Sequence, residues 1–191
     1  MPRIDAATVA EHRSRQHAAL LDAAEELLVE SGYEGLTFAA LGARTGLARN
    51  SVYRYFSGRE DIVAQVCERE LPDWLETLRL ELAAGDDRES RVEAFVTVQL
   101  RLIAGRRREL IEVLSQASLG PTARSRIAAM HYAPAEVLAE SLAADGHPDP
   151  TVVAQLVQGL VNSAVRMLHH SDMTLEQVTA ATADGARRTV V

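Results

Sequence analysis

The fold is decided by residues 37–62, which read TFAALGARTGLARNSVYRYFSGREDI. Thr37 can cap a short helix over 38–44, because its hydroxyl can accept a hydrogen bond from an exposed backbone N–H. Gly46 predicts the end of that helix, since glycine readily takes the left-handed conformation found there. A second short helix is predicted over 48–55. Two helices joined by a short turn that contains glycine form a helix-turn-helix, whose second helix enters the major groove of DNA.

The apolar residues of this stretch fit a pair of packed helices. Gly42 is small enough to let the two helices approach closely. Four larger side chains would hold the pair together: Leu41, Leu47, Val52 and Phe56.

The charge pattern also favours DNA binding. The whole chain is acidic, with 20 Lys and Arg residues against 27 Asp and Glu residues. Residues 36–59 nevertheless contain no Asp or Glu and four arginines, which are Arg44, Arg49, Arg54 and Arg59. Phosphate attraction depends on local positive potential and not on net charge. A solvated surface could hold the same arginines, but their coincidence with the helix-turn-helix spacing favours the nucleic-acid interpretation.

The same stretch resembles the DNA-binding signature of TetR-type transcriptional regulators. The shared pattern is Thr37-x3-Leu41-Gly42-x3-Gly46-Leu47-x4-Val52-Tyr53-x-Tyr55-Phe56-x2-Arg59-x2-Ile62. The resemblance implies an all-α fold of about nine helices, with an N-terminal three-helix DNA-binding domain. It also implies a C-terminal helical domain that binds a small molecule and forms a homodimer. In such regulators, ligand binding usually releases the operator.

The resemblance assigns roles to individual residues. Thr37, Tyr53 and Arg59 match positions that contact phosphates. Arg49 and Asn50 match exposed positions that read bases, and their chemistry agrees, because arginine suits guanine and asparagine suits adenine. The predicted DNA-binding residues are Thr37, Arg44, Arg49, Asn50, Ser51, Tyr53, Tyr55 and Arg59. The sequence departs from the family pattern at Ala48, where serine is common, and at Tyr55, where histidine is common.

We expect a DNA-binding domain over residues 1–56, in which residues 1–10 form a disordered arm because no apolar pattern ties them down. The effector-binding and dimerisation domain is expected over 57–191. The first helix is predicted over 11–30, and Ser31-Gly32 should end it.

A long helix is predicted over 58–83. Ser57 followed by Glu60 predicts a capping box at its start, and Pro72 predicts a kink or break near Arg69. The remaining helices are predicted over 89–105, 107–118, 122–144, 151–170 and 175–188.

Residues 151–168 are apolar around much of a helix, which indicates burial on more than one side. The segment could be a central core helix of one chain, or half of a two-fold interface formed with the last helix, and the resemblance favours the interface. The predicted interface residues are Val153, Leu156, Val157, Leu160, Val161 and Ala164. Two-fold symmetry suits a palindromic operator, with recognition helices ~34 Å apart.

Candidate effector contacts lie on the helices that line the family's pocket. They are Trp74, Leu78, Phe95, Gln99, Leu102, Met130, His131 and Tyr132. Gln99, His131 and Tyr132 are the polar candidates, and the others could equally be core residues. A mostly apolar cavity with few polar anchors suits a small, largely apolar effector.

Other function classes find little support. No stretch of ~18 apolar residues exists and no signal peptide is evident, so we expect a cytoplasmic protein without membrane contact. The single cysteine, Cys67, excludes an internal disulfide and a cysteine-based zinc site. No catalytic motif, cofactor site or metal site is predicted. The expected partners are double-stranded operator DNA, a small-molecule effector and a second copy of the chain. The alternatives are a DNA-binding dimer without an effector and a helical enzyme.

Overall fold

The structure is a computed structural model that describes residues 6–104, 110, 113–114 and 117–190. Within these residues the regular structure is α-helical, as predicted. The helices are Ala6–Gly35 (α1), Phe38–Thr45 (α2), Arg49–Val52 (α3), Arg59–Arg69 (α4), Leu71–Ala83 (α5), Arg88–Ala104 (α6), Pro121–Ala144 (α7), Pro150–His170 (α8) and Leu175–Arg187 (α9). The predicted helix over 107–118 falls largely outside the described residues. In the described part of the chain, no helix is long and apolar enough to cross a bilayer.

The described residues divide into two compact units. One unit takes those between Met1 and Arg69 and those between Glu109 and Arg126. The other takes those between Glu70 and Arg108 and those between Ile127 and Val191. The first unit thus includes α4, whereas we predicted a DNA-binding domain that ends at residue 56. That functional boundary stays a prediction.

The core of the first unit forms where α1 packs against α2 and α4, and α2 packs against α3. The apolar face of α1 supplies side chains at helical spacing, so a single stripe is buried. The fully buried or nearly buried residues include Leu20, Leu21, Ala24, Leu27, Leu28, Leu36, Leu41, Val52, Phe56, Ile62, Val63 and Val66.

The ends of α1 differ from the prediction. The helix begins at Ala6, five residues before the predicted start at residue 11, and the arm expected over residues 1–10 stays a prediction. Residues 1–5 lie outside the described part of the chain. Gly32 has φ +66° and ψ −175°, which interrupts the helical backbone at the predicted stop, and helical turns resume as far as Gly35.

Helix α3, the second helix of the helix-turn-helix, is shorter than the predicted span of 48–55. It ends at Val52 because the next backbone bonds are tight i to i+3 bonds, from Arg54 N to Ser51 O at 3.2 Å and from Tyr55 N to Val52 O at 3.0 Å. The N-cap, Ala48, offers no side-chain cap.

The break between α4 and α5 agrees with the prediction, whereas the start of α4 does not. Helix α4 ends at Arg69 and α5 begins at Leu71, with Pro72 in its first turn, so the predicted break is confirmed. The predicted capping box is wrong. Asp61, and not Glu60, accepts hydrogen bonds from the backbone N and Oγ of Ser57, at 2.8 and 3.1 Å.

The core of the second unit is built mainly around α6, which packs against α5, α8 and α9. Helix α9 also packs against α8, and it starts with a capping box between Thr174 and Gln177. The core includes Leu78, Leu82, Val92, Phe95, Val96, Leu100, Leu138, Leu142, Val157, Val161 and Val178.

Candidate nucleic-acid interface and effector-binding residues

The turn between α2 and α3 has the predicted helix-turn-helix geometry. Thr37 Oγ1 accepts a hydrogen bond from Ala40 N at 3.1 Å and caps α2. Gly46 takes the left-handed conformation, with φ +72° and ψ +13°. Gly42 is closely covered, because a Cβ built on it would lie 2.6 Å from the carbonyl oxygen of Leu47. The local sequence signals therefore account for the shape of this element.

Helix α3 has an anchored face and an open face. Val52 is fully buried, whereas Arg49 and Asn50 are exposed. Ser51 is half-buried, and its carbonyl oxygen accepts the bond from Arg54 N. The two residues expected to read bases thus face away from the core of the unit.

Three side chains form a layered cluster next to α3. The rings of Phe38 and Tyr53 stack with centroids 4.1 Å apart and planes 8° from parallel. Arg49 Nη2 donates a hydrogen bond to Tyr53 Oη at 3.1 Å. Tyr53 is 48% exposed, so its hydroxyl can reach a ligand outside the protein.

The four arginines of this stretch are not equivalent. Arg44 pairs with Glu26 at 3.0 Å and with Glu30 at 2.5 Å, and its hydrogen bonds to Glu30 and Glu26 raise its pKa. Arg59 pairs with Glu34 at 3.1 Å and lies over the ring of Tyr33 at 4.0 Å. Arg49 and Arg54 are exposed and form no ion pair with the described residues. Among these four arginines, the positive charge that is free of ion pairs within the described residues is therefore concentrated on Arg49 and Arg54.

Tyr55, another predicted DNA contact, turns towards α1. Its hydroxyl donates to Gln16 Oε1 at 2.7 Å, and its ring stacks on His17 with centroids 5.9 Å apart. The guanidinium of Arg13 lies 5.9 Å from the same ring. Tyr55 therefore joins the segment that follows α3 to α1.

The predicted effector residues divide by exposure. Leu78, Phe95 and Gln99 are fully buried, and Met130 is 9% exposed. Trp74 is half-buried, and the side chain of His131 lies outside the described part. Tyr132 is 61% exposed and Leu102 is 37% exposed, so the structure does not bring these two into an enclosed apolar lining.

Gln99 is unusual among the buried residues. It lies one turn along α6 from Phe95 and Val96, which are fully buried like Gln99 itself. Within the described residues, neither its Oε1 nor its Nε2 has a hydrogen-bond partner. A buried amide without partners costs about 1–3 kcal/mol, so this position invites a functional explanation.

Helix α8 separates the predicted interface residues into two sets. Val153, Val157, Val161 and Ala164 are buried in the core of their own unit, so they are not available to a partner, and this part of the prediction is corrected. An exposed apolar stripe runs along the same helix and consists of Val152, Leu156, Leu160 and Met167. Leu156 and Leu160 are the two members of the predicted set that this stripe retains.

The comparisons with known proteins concern the first unit most directly. The family model described as bacterial regulatory proteins, tetR family, matches residues 20–66, which include all of α2, α3 and the turn between them. An uncharacterized HTH-type transcriptional regulator of Mycobacterium tuberculosis is 34% identical over 83 residues, which are 44% of this chain and 42% of that protein. The fatty acid metabolism regulator protein of Bacillus subtilis is 22% identical over 86 residues, or 45% of this chain and 44% of that protein. The chain thus aligns with less than half the length of these relatives.

Solved structures extend the likeness to the whole fold. The transcriptional regulator FadR from Bacillus subtilis, in complex with stearoyl-CoA, superposes with a TM-score of 0.72. It is 17% identical, and the match covers 92% of this chain and all of that one, so it shows a shared fold. The fatty acid degradation regulator FadR from Bacillus halodurans gives the same TM-score and identity over 90% of this chain and 94% of that one. Residues 20–66 are therefore similar to bacterial regulatory proteins of the tetR family, and the chain shares its fold with the two FadR structures.

Proposed function

We propose that the chain is a DNA-binding transcriptional regulator, and that it acts as a repressor which leaves a palindromic operator when a small, largely apolar effector binds. The observation that carries the proposal is the helix-turn-helix, on which Val52 anchors α3 while Arg49 and Asn50 face outward. An arginine and an asparagine at these positions can make bidentate bonds to guanine and adenine edges.

Phosphate contacts would fix the register of α3 on the duplex. Thr37 and Tyr53 offer hydroxyls beside α3, and Arg54 offers a positive charge without an ion-pair partner in the described residues. Arg44 and Arg59 also belong to the predicted set, but each would have to leave a glutamate to meet a phosphate. We therefore assign the larger phosphate contribution to Arg54.

The test is operator binding by the full chain at several salt concentrations. The operator is selected from genomic fragments with the purified protein, and the affinity of the protein for it is measured by fluorescence anisotropy.

Each neutralised phosphate contributes about −0.9 to the slope of log K against log salt. Arg54→Ala should reduce that slope by about 1 for each protomer. Arg44→Ala is the matched control and should change it less, because Glu26 and Glu30 already neutralise this arginine. A flat salt response of the wild-type protein would refute phosphate-led binding.

The effector would bind in the second unit. The support is Gln99, whose buried amide has no partner among the described residues and lies beside apolar side chains of α6. A ligand with an apolar body and one carbonyl or amide group would complement such a site. A structural neighbour, FadR from Bacillus subtilis, was solved with stearoyl-CoA. We therefore propose long-chain acyl compounds as the effector class, in which the acyl chain is the largely apolar part that the second unit would bury, and we choose an acyl-CoA thioester as the first compound to test.

The effector proposal is tested by adding stearoyl-CoA to the protein–operator complex. Release of the operator is expected from the wild-type protein. Gln99→Leu should need about tenfold more effector, because one hydrogen-bonded group would be left unpaired. The same variant without effector should be more stable than the wild type by about 1 kcal/mol, since an unpartnered buried amide is removed. If no acyl compound releases the operator while salt-dependent binding persists, a regulator of another effector class, or one without an effector, is favoured.

The regulator would act as a homodimer. The exposed stripe of α8, defined above as Val152, Leu156, Leu160 and Met167, supplies an apolar surface that a second copy could cover. A two-fold interface uses the same patch on both copies, and a two-fold dimer matches the symmetry of a palindromic operator.

A further inference from the structure

The aromatic stack beside α3 links the two helices of the helix-turn-helix. Phe38 is the first residue of α2, and Tyr53 follows the last residue of α3. Their rings lie 4.1 Å apart and almost parallel. Because Phe38 belongs to α2, which is capped by Thr37, the stack holds the Tyr53 ring against a well-defined element.

The hydroxyl of Tyr53 has two hydrogen-bonding capacities. Its oxygen accepts the bond from Arg49 Nη2 at 3.1 Å. A phenol can accept one bond and donate its own hydrogen at the same time. The hydroxyl can therefore donate to a phosphate oxygen while it still holds the guanidinium of Arg49.

Helix α3 by itself does little to fix the side-chain conformation of Arg49. It is four residues long, and Ala48 provides no side-chain cap. Arginine carries a large rotamer entropy, which binding must overcome. A guanidinium that is already held in the free protein loses less entropy when it meets a base.

We propose that Tyr53, held by Phe38, is a positioning residue for Arg49, so that the Tyr53 hydroxyl contributes to base-pair preference as well as to phosphate affinity. The proposal rests on the DNA-binding function proposed above. It adds a second role to the one expected from the resemblance, in which this tyrosine meets a backbone phosphate. The phosphate contact and the base contact would then be made together, through one shared hydroxyl.

The test uses the full chain and a randomised duplex library. The wild-type protein selects a preferred duplex, and affinities are then measured on that duplex and on its single-base-pair variants. Arg49→Ala identifies the base pair that Arg49 reads, where a bidentate contact gives roughly 5- to 150-fold preference. Tyr53→Phe keeps the stack and removes the hydroxyl. We expect it to reduce the preference at that same base pair by at least about threefold, in addition to a uniform loss of affinity.

Variants of Phe38 and a matched control complete the test. Phe38→Leu should reduce the preference at the base pair that Arg49 reads, because the aromatic stack is lost. Phe38→Tyr should retain that preference, because it keeps a stacked ring. Arg54→Ala should weaken binding to all duplexes without changing the preference. In the Arg49→Ala background, Tyr53→Phe should cause no further loss of preference, because the residue that it positions is absent.

The outcomes separate the inference from the function on which it rests. If Tyr53→Phe weakens binding to every duplex equally while Arg49→Ala alters one base pair, the positioning role is refuted and the regulator proposal stands. If the wild-type protein binds all library members equally, the proposed function fails and the inference fails with it. Tyr53→Phe decides the matter even if Phe38→Leu does not fold, since it keeps the stacked rings.

Discussion

Asp61, in the first turn of α4, accepts hydrogen bonds from residues close to it in the chain and from Arg126 on α7. Its carboxylate accepts hydrogen bonds from Ser57 N at 2.8 Å, Gln65 Nε2 at 3.1 Å and Arg126 Nη1 at 2.7 Å. Arg126 also pairs with Glu68 at 2.6 Å. Burial opposes ionisation of Asp61, but the hydrogen bonds from Arg126, Ser57 and Gln65 outweigh it and lower its pKa to about 2.

This lowered pKa predicts how stability depends on pH. The folded-state pKa of Asp61 lies below the ordinary value of 3.8. Its contribution to stability is therefore present above pH 3.8 and is lost as the pH falls towards 2. Asp61→Asn should lower the free energy of unfolding by about 1–2 kcal/mol at pH 7. Urea unfolding of both proteins should show this gap shrinking below pH 4.

Asp184 offers a matched control for that measurement. The pKa of its carboxyl is also lowered, first by a hydrogen bond from Arg188, but its side chain is 51% exposed. Solvent screens exposed pairs strongly, so Asp184→Asn should change the stability at pH 7 much less than Asp61→Asn does. A gap between wild type and Asp61→Asn that is as large at pH 3 as at pH 7 would contradict the assigned pKa.

Single residues also show why some features of the candidate site could be predicted from the sequence and others could not. The cap of Thr37 and the turn at Gly46 depend on neighbours within a few residues, so the local pattern identified both. The ion pairs of Arg44 did not follow from the pattern, because Glu26 and Glu30 lie 18 and 14 residues earlier, on α1. The positive charge counted from the sequence therefore overestimated the charge that a phosphate would meet.

At the scale of helices, boundaries were predicted well where a single residue sets them. Pro72 breaks the long segment between α4 and α5 through its missing N–H. The capping box at Ser57 failed for a different reason. Glu60 accepts a hydrogen bond from Gly120 N at 2.7 Å, 60 residues away. A pattern of four neighbouring residues contains no information about such a partner.

The turn between α2 and α3 carries a prediction about Gly42. A Cβ at this position would lie 2.6 Å from Leu47 O, a backbone atom that cannot move without moving the turn. Gly42→Ala should destabilise the protein by about 1–3 kcal/mol and should weaken operator binding, because α3 is displaced. Thermal unfolding and anisotropy measure the two effects.

The control for Gly42 is another helical glycine with more space. A Cβ on Gly185 would come no closer than 4.0 Å to the Leu160 side chain. Gly185→Ala should leave stability unchanged or raise it by up to about 1 kcal/mol, since alanine is the better helix former. Equal stability of the Gly42→Ala and wild-type proteins would show that the two helices tolerate a wider separation than this geometry requires.

For the whole molecule, the open question from the sequence was whether α8 is a core helix or an interface helix. The helix is apolar around much of its circumference, so the sequence pattern alone did not decide which apolar residues face the core and which face a partner. The fold separates them, because Val153, Val157 and Val161 face the core of their own unit while Leu156 and Leu160 remain exposed. One helix can therefore serve both purposes, with the core on one side and a partner surface on the other.

The dimer prediction follows from the exposed face. Leu160→Glu places a charge on the stripe of α8, and a two-fold interface would bring that charge close to its copy. We expect monomers by size-exclusion chromatography with light scattering, and operator affinity lower by at least about tenfold, because the two half-sites would no longer be bound together.

Leu80→Glu is the matched control, since Leu80 on α5 is 64% exposed and lies outside the stripe. An unchanged dimer in Leu160→Glu, with unaltered operator affinity, would place the interface on another surface. A monomer that still binds the operator as tightly as wild type would separate dimerisation from operator recognition.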